Sequence, residues 1–423
     1  MFRTSSFRLS PQLLSGNRII SRRSNGTKAP FDLKECDEKY KELNTMYEEM
    51  FSATDNTTVN GSFSTKEVGV DQGKTLIDEL NEEIASIYNI ESRPQSSPSP
   101  KYISNRNEFQ DLIKTPGKFV LKSTSNNPYF NLALEDYIFR NTPIDIKRKV
   151  FNSNRLLFYI NNKCAVIGKN QNVWEELHLN NLDKKGYNFL RRLSGGGAVL
   201  HDRGNVNYSY ISSRDEFDTK FFNSKIVAWL KGVDPSLPIM QNERGDINYT
   251  NYKISGSAYK VAQGKAYHHG TMLINSDLED FKMLLKPSEI DGVKWYTNSV
   301  HSVRSEIKNL PLPSTEYFLD ICTSGYNQLF SLENDIYICN EYDVINDEIS
   351  KMIDKLKSSE WKFHTGPKFE LELRDNITNQ IQSITVEKGY IISSTIEGVK
   401  NMDFSHFLDN INQYINIDRS KLL

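Results

Sequence analysis

The stretch Arg191-Arg192-Leu193-Ser194-Gly195-Gly196-Gly197-Ala198-Val199-Leu200-His201-Asp202-Arg203-Gly204-Asn205 sets three consecutive glycines between a basic pair and a short apolar run. Glycine loses more backbone freedom on folding than any other residue. A run of three therefore points to a backbone that something must approach closely. Free N–H groups in such a turn grip anions, and Arg192 beside them can make a charge-assisted contact to a phosphate or carboxylate. Taken alone, the glycines also suit a flexible hairpin loop. Ala198–His201 reads as a strand, and Val206–Ile211 as a second, with Val206, Tyr208 and Tyr210 alternating against Asn207 and Ser209. Asp202-Arg203-Gly204-Asn205 supplies the turn between them. An apolar strand after the glycines, where a helix would be required, excludes a dinucleotide-binding turn.

Upstream, Phe119-Val120-Leu121 reads as a strand. Asn127-Pro128 opens a helix in the preferred order of a capping Asn and a first-turn Pro. Phe130, Leu134, Tyr137 and Ile138 share one face of that helix. Leu156–Ile160 and Cys164–Gly168 read as two strands of a hairpin turned at Asn161-Asn162. Downstream, Phe221–Leu230 reads as a helix, with strand signals at Lys253-Ile254 and Thr271–Ile274. The tail carries a helix over 345–357, strands near Phe369–Leu373 and Ile384–Val386, and a helix over 403–415. Mixed strands and helices in this order predict an α+β (α/β) catalytic domain over 116–340 and a small α+β accessory domain over 341–423.

The first 28 residues hold five arginines and one lysine among serines and apolar residues, and no acid precedes Asp32. That is the composition of a mitochondrial transit peptide, which predicts a matrix location. Residues 29–115 turn acidic and lack a clear period beyond one amphipathic helix over 75–89, and Pro94–Pro100 reads as a linker. This segment is expected to be a poorly structured extension. The net charge of −2 gives no argument for nucleic-acid or membrane partners. No apolar run is long enough to span a bilayer. Cys36, Cys164, Cys322 and Cys339 are scattered, which fits neither a disulfide frame nor a zinc site.

Four segments should meet if this is an active site. They are the glycine-rich loop with Arg192; Lys253-Ile254-Ser255-Gly256-Ser257-Ala258-Tyr259-Lys260; His268-His269-Gly270-Thr271; and Asn298–Arg304. A lysine followed by small residues can reach a ligand without crowding and neutralise a carboxylate and a phosphate together. No GxxxxGK[ST] and no G-x-S-x-G occurs, which excludes a P-loop NTPase and a nucleophile-elbow hydrolase.

Arg191–Asn205 resembles the R-R-x-S-G-G-G-A-V-x-H-D-x-G-N signature of the lipoate–protein ligase A family, and Lys253–Lys260 its K-x-S-G-S-A-[YF]-[RK] motif. Asn127–Ala133, Gly168–Trp174, His268–Leu273 and Ser302–Ser305 match further motifs in the family's order, across roughly 119–310. Trp361, Pro367–Phe369 and Val386–Gly389 resemble its accessory domain more weakly. Val173 stands where the family usually has proline, and Leu200 where it commonly has an aromatic residue.

The resemblance implies a mixed-sheet, biotin/lipoate protein ligase-like catalytic fold. It implies two steps: ATP and lipoate give lipoyl-AMP, and a lysine of a lipoyl domain then takes the acyl group as an amide. Lys253 would be the catalytic residue, contacting both carboxylate and phosphate. Arg192, Gly197, Ala198, Val199, Leu200 and Lys253 would bind nucleotide; Gly196, His269 and Lys253 would bind the acyl substrate. Asp246 is the expected ligand of Mg²⁺ accompanying ATP. The implied partners are lipoyl domains of 2-oxo acid dehydrogenase acyltransferase subunits and the glycine-cleavage H protein. Two other readings stay open: a lipoyl or octanoyl transferase using a pre-activated or protein-bound donor, and a non-catalytic binder of lipoyl domains.

Overall fold

The computed structural model describes residues 99–145, 151–332 and 335–423. The leader over 1–28 and the helix expected over 75–89 lie outside the described residues. A seven-stranded mixed sheet organises the chain. Its strands run, edge to edge, Ser99–Tyr102, Asp335–Cys339, Phe119–Ser123, Arg155–Tyr159, Asn205–Ser213, Lys265–Leu273 and Ser257–Ala262. The first four are parallel neighbours and the rest pair antiparallel.

Both faces of this sheet are covered, because its central strands carry apolar residues at both parities. Leu121, Leu157, Ile211 and Tyr267 pack under the helix Pro128–Asn141. Val120, Leu156, Phe158, Val206, Tyr208, Tyr210 and Met272 pack under the helices Phe221–Val233 and Thr315–Phe330. All nine residues of Asn205–Ser213 are buried. The alternation of Val206, Tyr208 and Tyr210 with Asn207 and Ser209 therefore separates two interior faces, and the polar one holds the candidate site.

Asn127 caps the helix Pro128–Asn141, its side chain accepting from the N–H groups of Tyr129 and Phe130, with Pro128 in the first turn. The hairpin expected at Asn161-Asn162 is not formed. Arg155–Tyr159 lies in the large sheet, whereas Cys164–Ile167 sits at the centre of a separate three-stranded sheet between Asn188–Arg191 and Val199–His201. The connection is no surface turn, because Asn161 is wholly buried and bonded to Asn131 and His201.

Two expected boundaries shift. Residues 99–114 belong to the fold rather than to an extension ending at 115. Ser99–Tyr102 is an edge strand, where Pro100 is tolerated, and Asn105 caps a helix Arg106–Lys114 that buries Phe109 and Ile113. The accessory region does not begin cleanly at 341 either. Val344, Ile349, Ile353, Leu356 and Trp361 share the core under Pro128–Asn141. A four-stranded sheet then joins Val293–Thr297, from upstream, to Phe369–Arg374, Ile381–Glu387 and Tyr390–Ser394. Val293–Thr297 pairs with Phe369–Arg374 across a long sequence separation, which local periodicity does not encode.

Candidate active site

The glycine-rich loop connects two strands of the three-stranded sheet, which flank Cys164–Ile167 on either side. Gly196 adopts φ +89°, a left-handed conformation strained for any residue with a Cβ. Opposite it, a Cβ on Gly168 would lie 1.9 Å from the Gly196 carbonyl oxygen, so the two loops meet backbone to backbone. The Lys169 N–H donates to the Ser194 carbonyl at 2.8 Å and fixes that approach. Arg192 is only 3% exposed, and its guanidinium turns back on the loop. It donates to Ser194 Oγ (3.0 Å) and to the carbonyls of Gly195 (2.5 Å), Gly197 (2.8 Å) and Val166 (3.2 Å). Its charge thus shapes the loop from inside. From the fourth predicted segment, Ser302 Oγ accepts from the Ala198 N–H at 2.8 Å and from Gln171 Nε2 at 3.1 Å.

Beneath the loop lies a small cleft. Leu132, Val166 and Val199 supply apolar wall, Tyr159, Asn207 and Thr271 polar edges, and Gly256–Ala258 a bare floor. Gly256 keeps that floor close to its wall, since a Cβ there would come within 3.2 Å of Val199 Cγ1. Arg192, His201 and His269 also line the cleft. His269 is closed on both ring nitrogens. Nδ1 lies 3.0 Å from both Glu135 carboxylate oxygens and Nε2 2.8 Å from Ser194 Oγ. A carboxylate only accepts, so His269 donates from Nδ1, and the Ser194 hydroxyl pairs with Nε2. The four predicted segments therefore meet at one place.

Lys253 closes the short strand Tyr252–Lys253, three residues before the cleft floor at Gly256. Its ammonium contacts Asp246 Oδ2 at 2.8 Å, and both side chains are largely buried. Its backbone is held by neighbours on the other side: Lys253 N–H donates to the Glu306 carbonyl, and Lys308 N–H to that of Lys253. Asp246 sits in a tight turn that Asn242 Oδ1 ties by accepting the Asp246 N–H. Its single carboxylate matches the way magnesium is usually held, by one or two carboxylates together with substrate phosphates. Among the described residues, no group of three His, Cys, Asp or Glu side chains could hold a metal unaided.

The family model "Lipoyl protein ligase A/B catalytic domain" matches residues 127–315, a span containing every one of these groups. A Saccharomyces cerevisiae protein named "Putative lipoate-protein ligase A" is 43% identical over 387 residues, covering 90% of this chain and 91% of that one. This chain belongs to the lipoate–protein ligase A family. "Lipoyl amidotransferase LIPT1, mitochondrial" of Homo sapiens is 33% identical over 269 residues, covering 62% of this chain and 69% of that one. The crystal structure of P. falciparum LipL1, a complex with lipoate, superposes with a TM-score of 0.50 at 25% identity, over 69% of this chain and 94% of that one. The expected fold, the biotin/lipoate protein ligase-like mixed sheet, is the one observed.

Within this ligase fold, several cleft residues escape a motif reading. Glu135 lies four residues after Asn131 on the helix that Asn127-Pro128 starts, where it and Asp136 are adjacent buried acids. Tyr159 and Asn207 sit on strands whose depth periodicity does not reveal. Two buried histidines also carry a stability consequence. Burial, helped by the charges of Arg192 and His269, pushes His201 down to about 3; burial, helped by His269, does the same to His268. Below the ordinary histidine range the unfolded chain takes up protons that the folded chain refuses, so stability falls as pH drops from about 6.5 toward 3. Between pH 7.5 and 5.5 the two together should remove about 2–3 kcal/mol of unfolding free energy. Urea titrations at the two pH values would measure this, and His268→Asn should lessen the drop.

Proposed function

We propose that this chain activates lipoate with ATP and transfers the lipoyl group to a lysine of lipoyl domains. The observation that carries the reading is Lys253, an ammonium held 2.8 Å from Asp246 beside a cleft with apolar walls. In the first step a lipoate carboxylate oxygen attacks the α-phosphorus of ATP, and the bond to pyrophosphate breaks. Two anions must approach each other for this, so a cation placed between them lowers the barrier, and positioning supplies most of the rest. In the second step the neutral ε-amine of an acceptor lysine attacks the lipoyl carbonyl carbon, and AMP leaves with the bonding pair. Lys253 would neutralise carboxylate and phosphate. Arg192 would keep the Gly196–Leu200 backbone in the shape that receives nucleotide and acyl group. His269 would form part of the acyl wall. Asp246 would hold Mg²⁺ arriving with ATP, and the ion would offset phosphate charge.

The proposed acceptors are lipoyl domains of 2-oxo acid dehydrogenase acyltransferase subunits and the glycine-cleavage H protein. A mitochondrial location is supported by the basic, serine-rich, acid-free leader and by the name of the human relative. The test mixes the full chain with ATP, Mg²⁺, free lipoate and an apo lipoyl domain. Mass spectrometry should show an acyl adduct on the domain only when ATP is present.

A second reading is favoured by the same human relative, whose name is that of a lipoyl amidotransferase. Here the acyl group would come from another protein without ATP. Cys164, Cys322 and Cys339 do not suit a thioester route, since all three are buried and burial pushes their thiols up, Cys339 to about 12. Direct amine transfer remains chemically open. An adduct formed from a lipoylated donor domain with ATP omitted would establish it.

A further inference from the structure

A chain of buried amides runs from the N-terminal side of Pro128–Asn141 to the cleft and ends on His201. Asn131 and Asn161 are wholly buried, and His201 is 3% exposed. The polarity of the chain is fixed at its far end by a group with no choice. The Ser125 backbone carbonyl can only accept, and it accepts from Asn131 Nδ2 at 2.8 Å. Asn131 Oδ1 consequently accepts the Ser123 hydroxyl at 2.7 Å. The same Asn131 Nδ2 donates to Asn161 Oδ1 at 2.9 Å. Asn161 must then present its Nδ2 to His201 Nδ1, 3.1 Å away. A ring nitrogen that receives an N–H carries a lone pair, so the proton of neutral His201 sits on Nε2. The Cys164 thiol, 3.8 Å from the same Nδ1, is a weak donor and agrees with that assignment.

Among the described residues, His201 Nε2 is a buried side-chain nitrogen with no hydrogen-bond partner, and its residue lines the cleft. This sets it apart from His269, whose two ring nitrogens are both taken. Burial and the neighbouring Arg192 and His269 keep His201 uncharged at neutral pH. His201 therefore brings a neutral, unpartnered N–H to the wall of the cleft. Lys253 claims the carboxylate in the reading proposed above, so the part of the acid that meets His201 is its chain.

We propose that Asn131 and Asn161 are positioning residues that lock His201 as an Nε2–H donor. The donor makes the cleft select an acyl chain carrying an acceptor atom, such as a ring sulfur, over an unsubstituted alkyl chain of similar length. An alkyl chain would leave the buried N–H unpaired, which a site built to donate rejects. Thioether-type sulfur accepts only weakly, so the discrimination is about tenfold rather than the far larger ratios seen with hydroxyl partners. This inference rests on the lipoate-activating reading for the identity of the ligand, and on hydrogen-bond geometry alone for the state of His201.

Two measurements test it on the full chain. Nitrogen-15 imidazole spectra of the wild type should show His201 with a protonated Nε2 and a bare Nδ1 at neutral pH. A protonated Nδ1, or a doubly protonated ring, would overturn the proposal without any variant being made. Calorimetric titrations with lipoate and with octanoate, in the absence of ATP, should show lipoate bound about tenfold more tightly. That ratio should collapse toward one in His201→Phe and in Asn161→Leu, with the Asn161→Leu spectrum showing mixed His201 tautomers. Equal affinity for the two acids in the wild type overturns the selectivity while leaving the ligase reading intact. An unchanged ratio in a variant that retains its cooperative unfolding transition does the same. Binding of neither acid overturns both readings together.

Discussion

Replacing Lys253 with alanine is expected to abolish lipoate-dependent pyrophosphate release, lowering it by about 10²–10³-fold or more, while the protein stays folded. The magnitude follows from removing a fixed positive group from a place where two anions must come together; a single preorganised donor is commonly worth that much. Little of the fold depends on the side chain. The strand Tyr252–Lys253 is held by backbone bonds to Glu306 and Lys308, which alanine keeps. Asp246 loses an ion-pair partner at 2.8 Å but retains its turn through Asn242. The unfolding temperature should therefore move by only about 2–4 °C. Lys253→Arg keeps the charge but replaces a compact ammonium with a planar fork, and should recover only part of the rate. Pyrophosphate release near wild type in Lys253→Ala would remove the central support for the proposed activity. Loss of activity accompanied by loss of the unfolding transition would instead make Lys253 a structural residue.

Much of the site is legible in the sequence because its elements are backbone demands. Three glycines in a row announce a close approach, and Gly196 at φ +89° against the bare backbone of Gly168 is that approach. Asn127-Pro128 announces a helix start, and the helix is there. What escapes is the assignment of polar residues to inside or outside. Asn161 has the chemistry of a turn residue because its side chain bonds readily to nearby groups. The same chemistry serves a buried relay, and only tertiary context decides which. The alternation of Asn207 and Ser209 with apolar residues likewise leaves open what covers their face. The helix Pro128–Asn141 covers that face, so they are buried. Asp335–Cys339 could not be placed from local pattern, since its partners Phe119–Ser123 and Ser99–Tyr102 lie more than two hundred residues upstream. The arginines show the same limit. Arg192, which the sequence offers as an anion contact, also donates to the carbonyls that give the loop its shape.

Arg191, the residue beside it, leads to the largest expected stability effect. It is wholly buried, and its hydrogen bonds all run to backbone carbonyls. Nη1 donates to Lys169 at 2.9 Å, Gln171 at 2.7 Å and Gly168 at 3.3 Å. Nε reaches Trp361 and Lys362, each at 3.2 Å, and Nη2 reaches Lys362 at 2.9 Å. The Trp361 indole returns a bond to the Arg191 carbonyl at 2.7 Å. Burial pulls the guanidinium down to about 9, which still leaves it charged at neutral pH. One side chain thus ties the 168–171 loop, against which Gly196 packs, to the segment Glu360–His364. Arg191→Leu would fill much of the volume but leave several carbonyls buried without a donor, and should cost about 3–5 kcal/mol of unfolding free energy. Lysine at this position keeps the charge but cannot span both sets of carbonyls, so its loss should be intermediate. Because Lys169 holds the Ser194 carbonyl and Gln171 holds Ser302, amide exchange in 168–171 and 194–198 should accelerate together in Arg191→Leu. Urea unfolding with hydrogen-exchange mass spectrometry reads both quantities. A variant as stable as the wild type, with those two loops still protected, would show that the carbonyls find other donors and that Arg191 is not what holds the glycine loop in place.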